Sequence, residues 1–328
     1  MQTQTITIIG LGRLGASIGL AIKKSPLDVT VTGHDADWER AQKALNEAGA
    51  VDKVERNLVN AARQADILLL AIPAAELEMT LSAIGRDLQE HTLVIDLSPL
   101  KGVGVKWAKQ HIRRGHYVGA VPVLPPASMA DGRAGVSAAS ADLFRNGGFC
   151  IMPAANVEPA AVETAVNFGL LLGAKPFFLD PDEYDNLVQG TETLPSLAAA
   201  AMFSAIHKTA GWRDILRLAG QSFALSTRPL AEDADIALMA LHNRDATLRW
   251  LDAFLAELQT IRQQVQAGDR ETLALALKEW GNERFAWLAL REENEWDERE
   301  PLETPHHSFA ERMLGGFVAG SSRQNGKR

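Results

Sequence analysis

The sequence predicts an α/β fold: a doubly wound parallel sheet over residues 1–180, an all-helical domain over 181–300 and a polar, partly disordered tail over 301–328. Three observations predict it. Short β-branched and apolar runs alternate with amphipathic stretches through the first half, the pattern of strands buried between two helical layers. The first run passes directly into three glycines spaced as GxGxxG and then into an apolar helical stretch. Near Asp180-Pro181-Asp182 the alternation stops and helical periodicity takes over.

Thr5–Ile9 alternates threonine with isoleucine and reads as the first strand. Gly10 allows a sharp turn after it, Gly12 lets backbone approach a pyrophosphate with no Cβ in the way, and Gly15 lets the helix Leu14–Ile22 lie close to the strand. The helix N-terminus offers N–H groups to an anion. Gly10, Leu11, Gly12, Arg13, Leu14 and Gly15 are therefore expected to form the phosphate-binding turn of a Rossmann-type domain. Asp28–Gly33 reads as the second strand. Asp35 follows about twenty residues beyond Gly15, where a carboxylate takes hydrogen bonds from the adenine ribose; a solvated loop aspartate is the alternative. A carboxylate there repels a 2′-phosphate and no arginine follows before Arg40, so NAD is expected in preference to NADP. Asp66–Ile72 is a continuous apolar run of the kind buried in parallel sheets. Thr92–Leu97, Tyr117–Val121, Gly148–Met152 and Lys175–Leu179 complete the strands. Loops beginning at Pro73, Ser98 and Pro122 should open on the crevice beyond the carboxyl ends of the strands, with Ile72, Pro73 and Ser98 beside the cofactor.

Beyond Asp182 the expected helices are Leu194–Ile206, Trp212–Leu218, and two long stretches over 232–267 and 269–296. In the last, Leu273, Leu277, Trp280, Phe285, Trp287, Leu288 and Trp296 recur at roughly helical spacing, as core or subunit interface. A helical domain this thin completes its core by dimerising, so a homodimer is expected. The formal charge of −8 disfavours nucleic acid and anionic membranes as partners. One cysteine, Cys150, lies in a strand-like run and fits a reducing compartment. The N-terminus lacks a charged-then-apolar leader and no run of about 18 apolar residues occurs, so a soluble, cytoplasmic protein is expected. No cluster of His, Cys, Asp or Glu has ligand spacing, and no metal is expected.

Beyond the glycine fingerprint, a set of short blocks over about residues 5–295 resembles the prephenate/arogenate dehydrogenase family. G-L-G-R-L-G-A-S-I-G is similar to that family's glycine opening, D-I-L-L-L-A-I-P to its fourth-strand block, and I-D-L-S-P-L-K to its D-x-x-S-x-K block. Y-V-G-A-V-P resembles V-G-G-H-P, D-P-D-E-Y-D resembles D-x-x-x-H-D, and S-T-R-P-L-A resembles T-R-I-A. The resemblance implies a dinucleotide domain, a helical dimerisation domain, and the NAD-dependent oxidative decarboxylation of a cyclohexadienyl carboxylate, as in tyrosine biosynthesis. Hydride leaves the ring carbon bearing the hydroxyl, the hydroxyl loses its proton, and carbon dioxide departs as the ring becomes aromatic. Such a site needs an acceptor for the hydroxyl proton and cations for the carboxylates of a small acid substrate.

The chain departs from that family where protons move. The histidine of H-P falls on Val121, the serine of D-x-x-S-x-K on Pro99 with Ser98 beside it, and the histidine of H-D on Tyr184. The S-H-L-P-H block becomes Glu192-Thr193-Leu194-Pro195-Ser196. Asp96, Lys101, Asp185 and Arg228 are retained. Arg228 is the candidate carboxylate clamp, against a surface or interface salt bridge. Lys101 is a candidate for carboxylate binding or proton exchange, against a plain lysine at a helix start. Tyr184 and a partly buried Glu192 are candidate general bases, against structural hydrogen bonding. The loop Pro122–Gly135 either closes over substrate or simply connects two strands. The alternative functions are a dehydrogenase of this fold with another hydroxy or amino acid substrate, and a nucleotide-binding protein that has lost its chemistry.

Overall fold

The computed structural model describes residues 4–294 apart from 130, 156 and 232–234. The expected tail 301–328 and Trp296 lie outside the described residues. Among those described, 4–181 with 282–294 form one compact unit and Asp182–Gly281 the other.

The first unit is built on eight strands: β1 Gln4–Ile9, β2 Val29–His34, β3 Lys53–Val54, β4 Ile67–Leu70, β5 Leu93–Asp96, β6 His116–Val123, β7 Gly148–Pro153 and β8 Lys175–Phe178. Their order across the sheet is β3-β2-β1-β4-β5-β6-β7-β8. The first six follow the Rossmann order, with the reversal of direction falling between β1 and β4. The helices are α1 Arg13–Lys24, α2 Trp38–Asn46, α3 Leu58–Arg63, α4 Ala74–Ile84, α5 Gly102–His111, a single turn α6 Pro126–Met129, and α7 Pro159–Leu171.

Two apolar layers flank the sheet, and the register explains both. Ile67 and Leu69 face the layer of Ile8, Ile18, Phe149 and Phe168, while Leu68 and Leu70 face the layer of Leu77, Leu81 and Val94. All four β4 side chains are buried, which is why that strand reads as an unbroken apolar run. Each contributes about 1.5–3 kcal/mol relative to exposure.

The sheet is mostly parallel, as expected, with one reversal: β7 runs antiparallel to β6, and β8 is parallel to β7. A strand that reverses needs no crossover, so the connection 124–147 leaves and re-enters the sheet at the same edge, the carboxyl end of β6. β6 also runs two residues further than expected, taking in Pro122. Pairing with β5 ends at Gly119, so beyond it β6 has a neighbour only on the β7 side, a setting that tolerates proline. The two-residue β3 was not legible, being too short for any alternation to register.

In the second unit, α8 Pro181–Val188 continues through a π-helical turn, Gln189–Thr193, into α9 Leu194–His207. Pro195 has no N–H to give the i−4 carbonyl and its ring crowds that turn, which the wider π geometry relieves. α10 Trp212–Leu218 and α11 Gln221–Thr227 lead into a 3₁₀ turn, Arg228–Ala231. The stretch expected as one helix over 232–267 is two, α12 Asp235–His242 and α13 Arg244–Ala267, because Asn243 leaves helical geometry at φ −117°, ψ 52°. Gly268, at φ +70°, ends α13 before α14 Arg270–Glu293. The end of α14, from Asn282 on, groups with the first unit. Arg291 donates to the Leu124 carbonyl, Asn294 Nδ2 to the Gly147 carbonyl at 2.9 Å, and Lys175 Nζ to the Asn294 carbonyl at 3.2 Å.

Candidate active site

The glycine elbow lies where β1 turns into α1. Gly10 takes φ +90°, and a Cβ on it would sit 2.2 Å from the Ala71 carbonyl oxygen. A Cβ on Gly15 would meet the Gly10 carbonyl oxygen at 1.9 Å. Gly12 differs: a Cβ there would meet nothing within 4 Å and would project into open space. α1 starts at Arg13 with no capping side chain and no acid in its first turn. Its N-terminal dipole and the amides of Arg13, Leu14 and Gly15 thus remain available to an anion. The open cradle over Gly12 fits a pyrophosphate, and Arg13 Nε is buried beside it with no partner among the described residues. Leu11 is a correction within the expected turn: its N–H is bonded to Asp35 Oδ2 at 2.8 Å and its side chain is buried, so it anchors the elbow rather than facing a ligand.

Asp35 is not a solvated loop residue. Its side chain is 3% exposed, Oδ1 accepts the Asp37 N–H at 2.8 Å, and Arg40 Nη1 reaches Oδ1 at 3.2 Å and Oδ2 at 3.4 Å. Arg40, the first arginine after Asp35, is thus in contact with it. α2 begins at Trp38, and its first turn swings Arg40 back over the end of β2.

The connection 124–147 crosses α1 and is fastened along it. Arg13 pairs with Asp131 through both terminal nitrogens, Nη1 and Nη2, and Nη1 also donates to the Arg133 carbonyl at 2.9 Å. The Ser140 N–H donates to Ser17 Oγ at 3.0 Å, and Lys24 pairs with Asp142 at 2.8 Å. The hydrogen bonds from Arg13 and Lys24 hold the carboxyls of Asp131 and Asp142 below the usual carboxylate range.

At the end of β5 the structure revises two candidates. Lys101 is wholly buried. Its ammonium donates to the Asp96 carbonyl at 2.7 Å and to Asp96 Oδ2 at 3.2 Å, and Tyr117 donates to the same Oδ2 at 2.7 Å. Both members of this ion pair are wholly buried, and it ties the end of β5 to the start of α5. Ser98 is also fully buried, its N–H donating to Asp96 Oδ1 at 2.8 Å, so its hydroxyl does not line the crevice. Ile72 is buried, while Pro73, preceding α4, is exposed at the carboxyl edge of β4.

At the end of β6, Val121 pairs with Cys150 of β7 and is half-buried. Arg291 is a cation that sequence reasoning missed. Its guanidinium bonds the Leu124 carbonyl and lies 3.6 Å from Met129 Sδ, and burial pulls its pKa down. Nothing in a helix so distant along the chain marks it.

In the second unit, Tyr184 is half-buried on α8 next to buried Asp185. Glu192 stands on the π-helical turn and is exposed, not partly buried as expected. Opposite it in that turn, buried Gln189 accepts from Thr247 Oγ1 at 3.1 Å, and the Trp250 ring lies where a Cβ on Gly190 would stand. Arg228 opens the 3₁₀ turn after α11 and is half-buried.

A doubly wound sheet with a glycine elbow at β1 and an acid at the end of β2 defines a dinucleotide-binding protein of the Rossmann class. Residues 18–177 match the family model described as prephenate dehydrogenase, nucleotide-binding domain, and residues 180–279 match prephenate dehydrogenase, dimerization domain. The chain belongs to the prephenate dehydrogenase family and is a dehydrogenase of the prephenate/arogenate type. Among curated relatives, the prephenate dehydrogenase of Bacillus subtilis is 29% identical over 285 residues, 82% of this chain and 72% of that one. The cyclohexadienyl dehydrogenase of Zymomonas mobilis is 26% identical over 286 residues, 86% and 95% of the two chains. In fold, the chain is similar to the prephenate dehydrogenase of A. aeolicus solved with hydroxyphenyl propionate and NAD+. The TM-score is 0.76 at 19% identity, covering 87% of this chain and 99% of that one. A Synechocystis arogenate dehydrogenase gives 0.67 at 20% identity, covering 87% and 100%. Among the described residues, no helix is long and apolar enough to cross a membrane, and no three His, Cys, Asp or Glu cluster as metal ligands do.

Proposed function

We propose that this protein carries out the NAD-dependent oxidative decarboxylation of a cyclohexadienyl carboxylate, prephenate or arogenate, as a cytoplasmic homodimer. The observation that carries the reading is the elbow itself: an uncapped helix N-terminus over Gly12 with Asp35 fixed beside it, in a chain of this family. NAD, when bound there, supplies the hydride acceptor. The amides of Arg13–Gly15 hold its pyrophosphate, and Asp35 the adenine ribose.

Arg228 binds a substrate carboxylate through its planar fork. As the ring carbon loses its hydride, the hydroxyl on it must release a proton, and Tyr184 and Glu192 are the candidates to take it. The ring carboxylate departs as carbon dioxide, its bonding electrons enter the ring, and the stored proton returns to what is now a phenol oxygen. Lys101 positions the β5 end through Asp96 without touching substrate. Exposed Leu255, Val265 and Leu277 and half-exposed Trp280 line α13 and α14, and we assign them to the contact with a second copy.

The test is direct. The purified protein is mixed with NAD and prephenate or arogenate, and the absorbance of reduced nicotinamide is followed. Turnover that falls at least about a hundredfold in Arg228→Ala, the loss expected for a charge-assisted contact made in the transition state, supports the reading. NAD binding without turnover on either substrate, or on a panel of hydroxy acids, points instead to a nucleotide-binding protein without the reaction. Val121 and Pro99, which carry no proton acceptor, favour that second reading.

A further inference from the structure

The cofactor site carries a feature at odds with strict selection of NAD. Asp35 excludes a 2′-phosphate only if its negative charge faces the ribose uncompensated. Here the carboxylate receives two backbone N–H groups, from Leu11 and Asp37, both at 2.8 Å, and the Arg40 guanidinium lies across both oxygens. The acid is 3% exposed and the arginine 47%. The group presented to solvent at the end of β2 is thus a cation lying over a largely neutralised acid. Arg40 also borders a cavity of about 670 Å³ between α1, α2 and the 135–139 segment, with Lys43 further along its wall. Three acids share that wall: Asp37, whose Oδ2 lies 3.6 Å from Arg40 Nη2, Glu39, which pairs with Lys43, and Glu47.

We infer that Arg40 is a 2′-phosphate anchor and that this protein binds NADP as well as NAD. The inference rests on the dinucleotide reading above and concerns only its adenosine end. To meet a 2′-phosphate, Arg40, itself half-exposed, exchanges its long contacts with the Asp35 oxygens, 3.2 and 3.4 Å, for charge-assisted bonds to a dianion. Asp35 keeps both backbone donors when the arginine turns away, so its charge is not left bare.

Calorimetric titration of the full chain with NAD, NADP, adenosine 5′-phosphate and adenosine 2′,5′-bisphosphate tests it without relying on turnover. NADP should bind within about tenfold of NAD, a difference of less than about 1.4 kcal/mol. Arg40→Ala should weaken NADP and the bisphosphate by about tenfold or more, while NAD and the 5′-phosphate bind as before or slightly more tightly. NADP binding more than about tenfold weaker than NAD overturns the inference, as does an Arg40→Ala variant, folded by circular dichroism, that loses both dinucleotides equally or neither. If neither dinucleotide binds the parent protein, the elbow reading itself fails, which is a separate outcome.

Discussion

Replacing Lys101 by methionine preserves side-chain length and removes one charge from the core. In the parent protein Lys101 and Asp96 are both fully buried and joined at 3.2 Å, with a second bond from the ammonium to the Asp96 carbonyl at 2.7 Å. The variant leaves a buried carboxylate without its counter-ion, which costs about 3–5 kcal/mol, offset by less than about 1 kcal/mol from the added apolar contact. For a unit of this size each kcal/mol lowers the melting temperature by about 2–4 °C, so a drop of roughly 6–20 °C is expected. Thermal melts and urea titrations read it, the urea midpoint moving with little change in slope. Asp96→Asn combined with Lys101→Met should recover part of the loss, because no unpaired charge remains. Tyr117→Phe, which removes one donor to the same oxygen, should cost about 1–2 kcal/mol. A Lys101→Met protein that melts within about 2 °C of the parent yet has lost turnover would refute the reasoning, and would return Lys101 to direct contact with substrate.

Gly12→Ala should leave the melting temperature unchanged, since its Cβ meets nothing, yet weaken dinucleotide binding by about tenfold or more in calorimetry. Gly15→Ala drives a Cβ into the Gly10 carbonyl and should destabilise the fold by about 1–3 kcal/mol as well, seen as a lower melting temperature. Asp52 joins α1 to β2 through Lys23 at 2.6 Å and the Val31 N–H at 2.8 Å. Its burial raises the carboxyl pKa, but those hydrogen bonds and the Lys23 charge outweigh it, so the folded value lies below the ordinary one. Its contribution is therefore complete above about pH 4 and lost as the pH falls through the folded value, and Asp52→Asn should flatten urea midpoints measured between about pH 2 and 4. Leu277→Asp, on the exposed face of α14, should convert a dimer to a monomer in sedimentation velocity while leaving helix content intact.

The glycine elbow was readable because its constraints are local: a strand, a turn that needs Gly10 at positive φ, and a helix that needs Gly15 without a side chain all fall within fifteen residues. The seven longer strands were readable for the same reason, since alternation or unbroken apolarity reports burial on one face or two. The two residues of β3 carry too little pattern to report anything. The proton-handling half was legible only as a set of substitutions, Val121, Pro99, Tyr184 and Glu192, because what matters there is which groups meet in space.

Sequence alone settled the doubly wound domain, its glycine turn, the acid after β2 and the family, since each rests on spacing along a few neighbouring residues. Tertiary structure decided the rest: that Lys101 is spent on Asp96 inside the core, that Arg40 lies over Asp35, that Arg291 returns from the last helix to the end of β6, and that β7 reverses so the 124–147 connection stays on the crevice side. Each of these depends on which distant segments share a surface. That is set by packing of the whole sheet and its two layers, and no local periodicity encodes it.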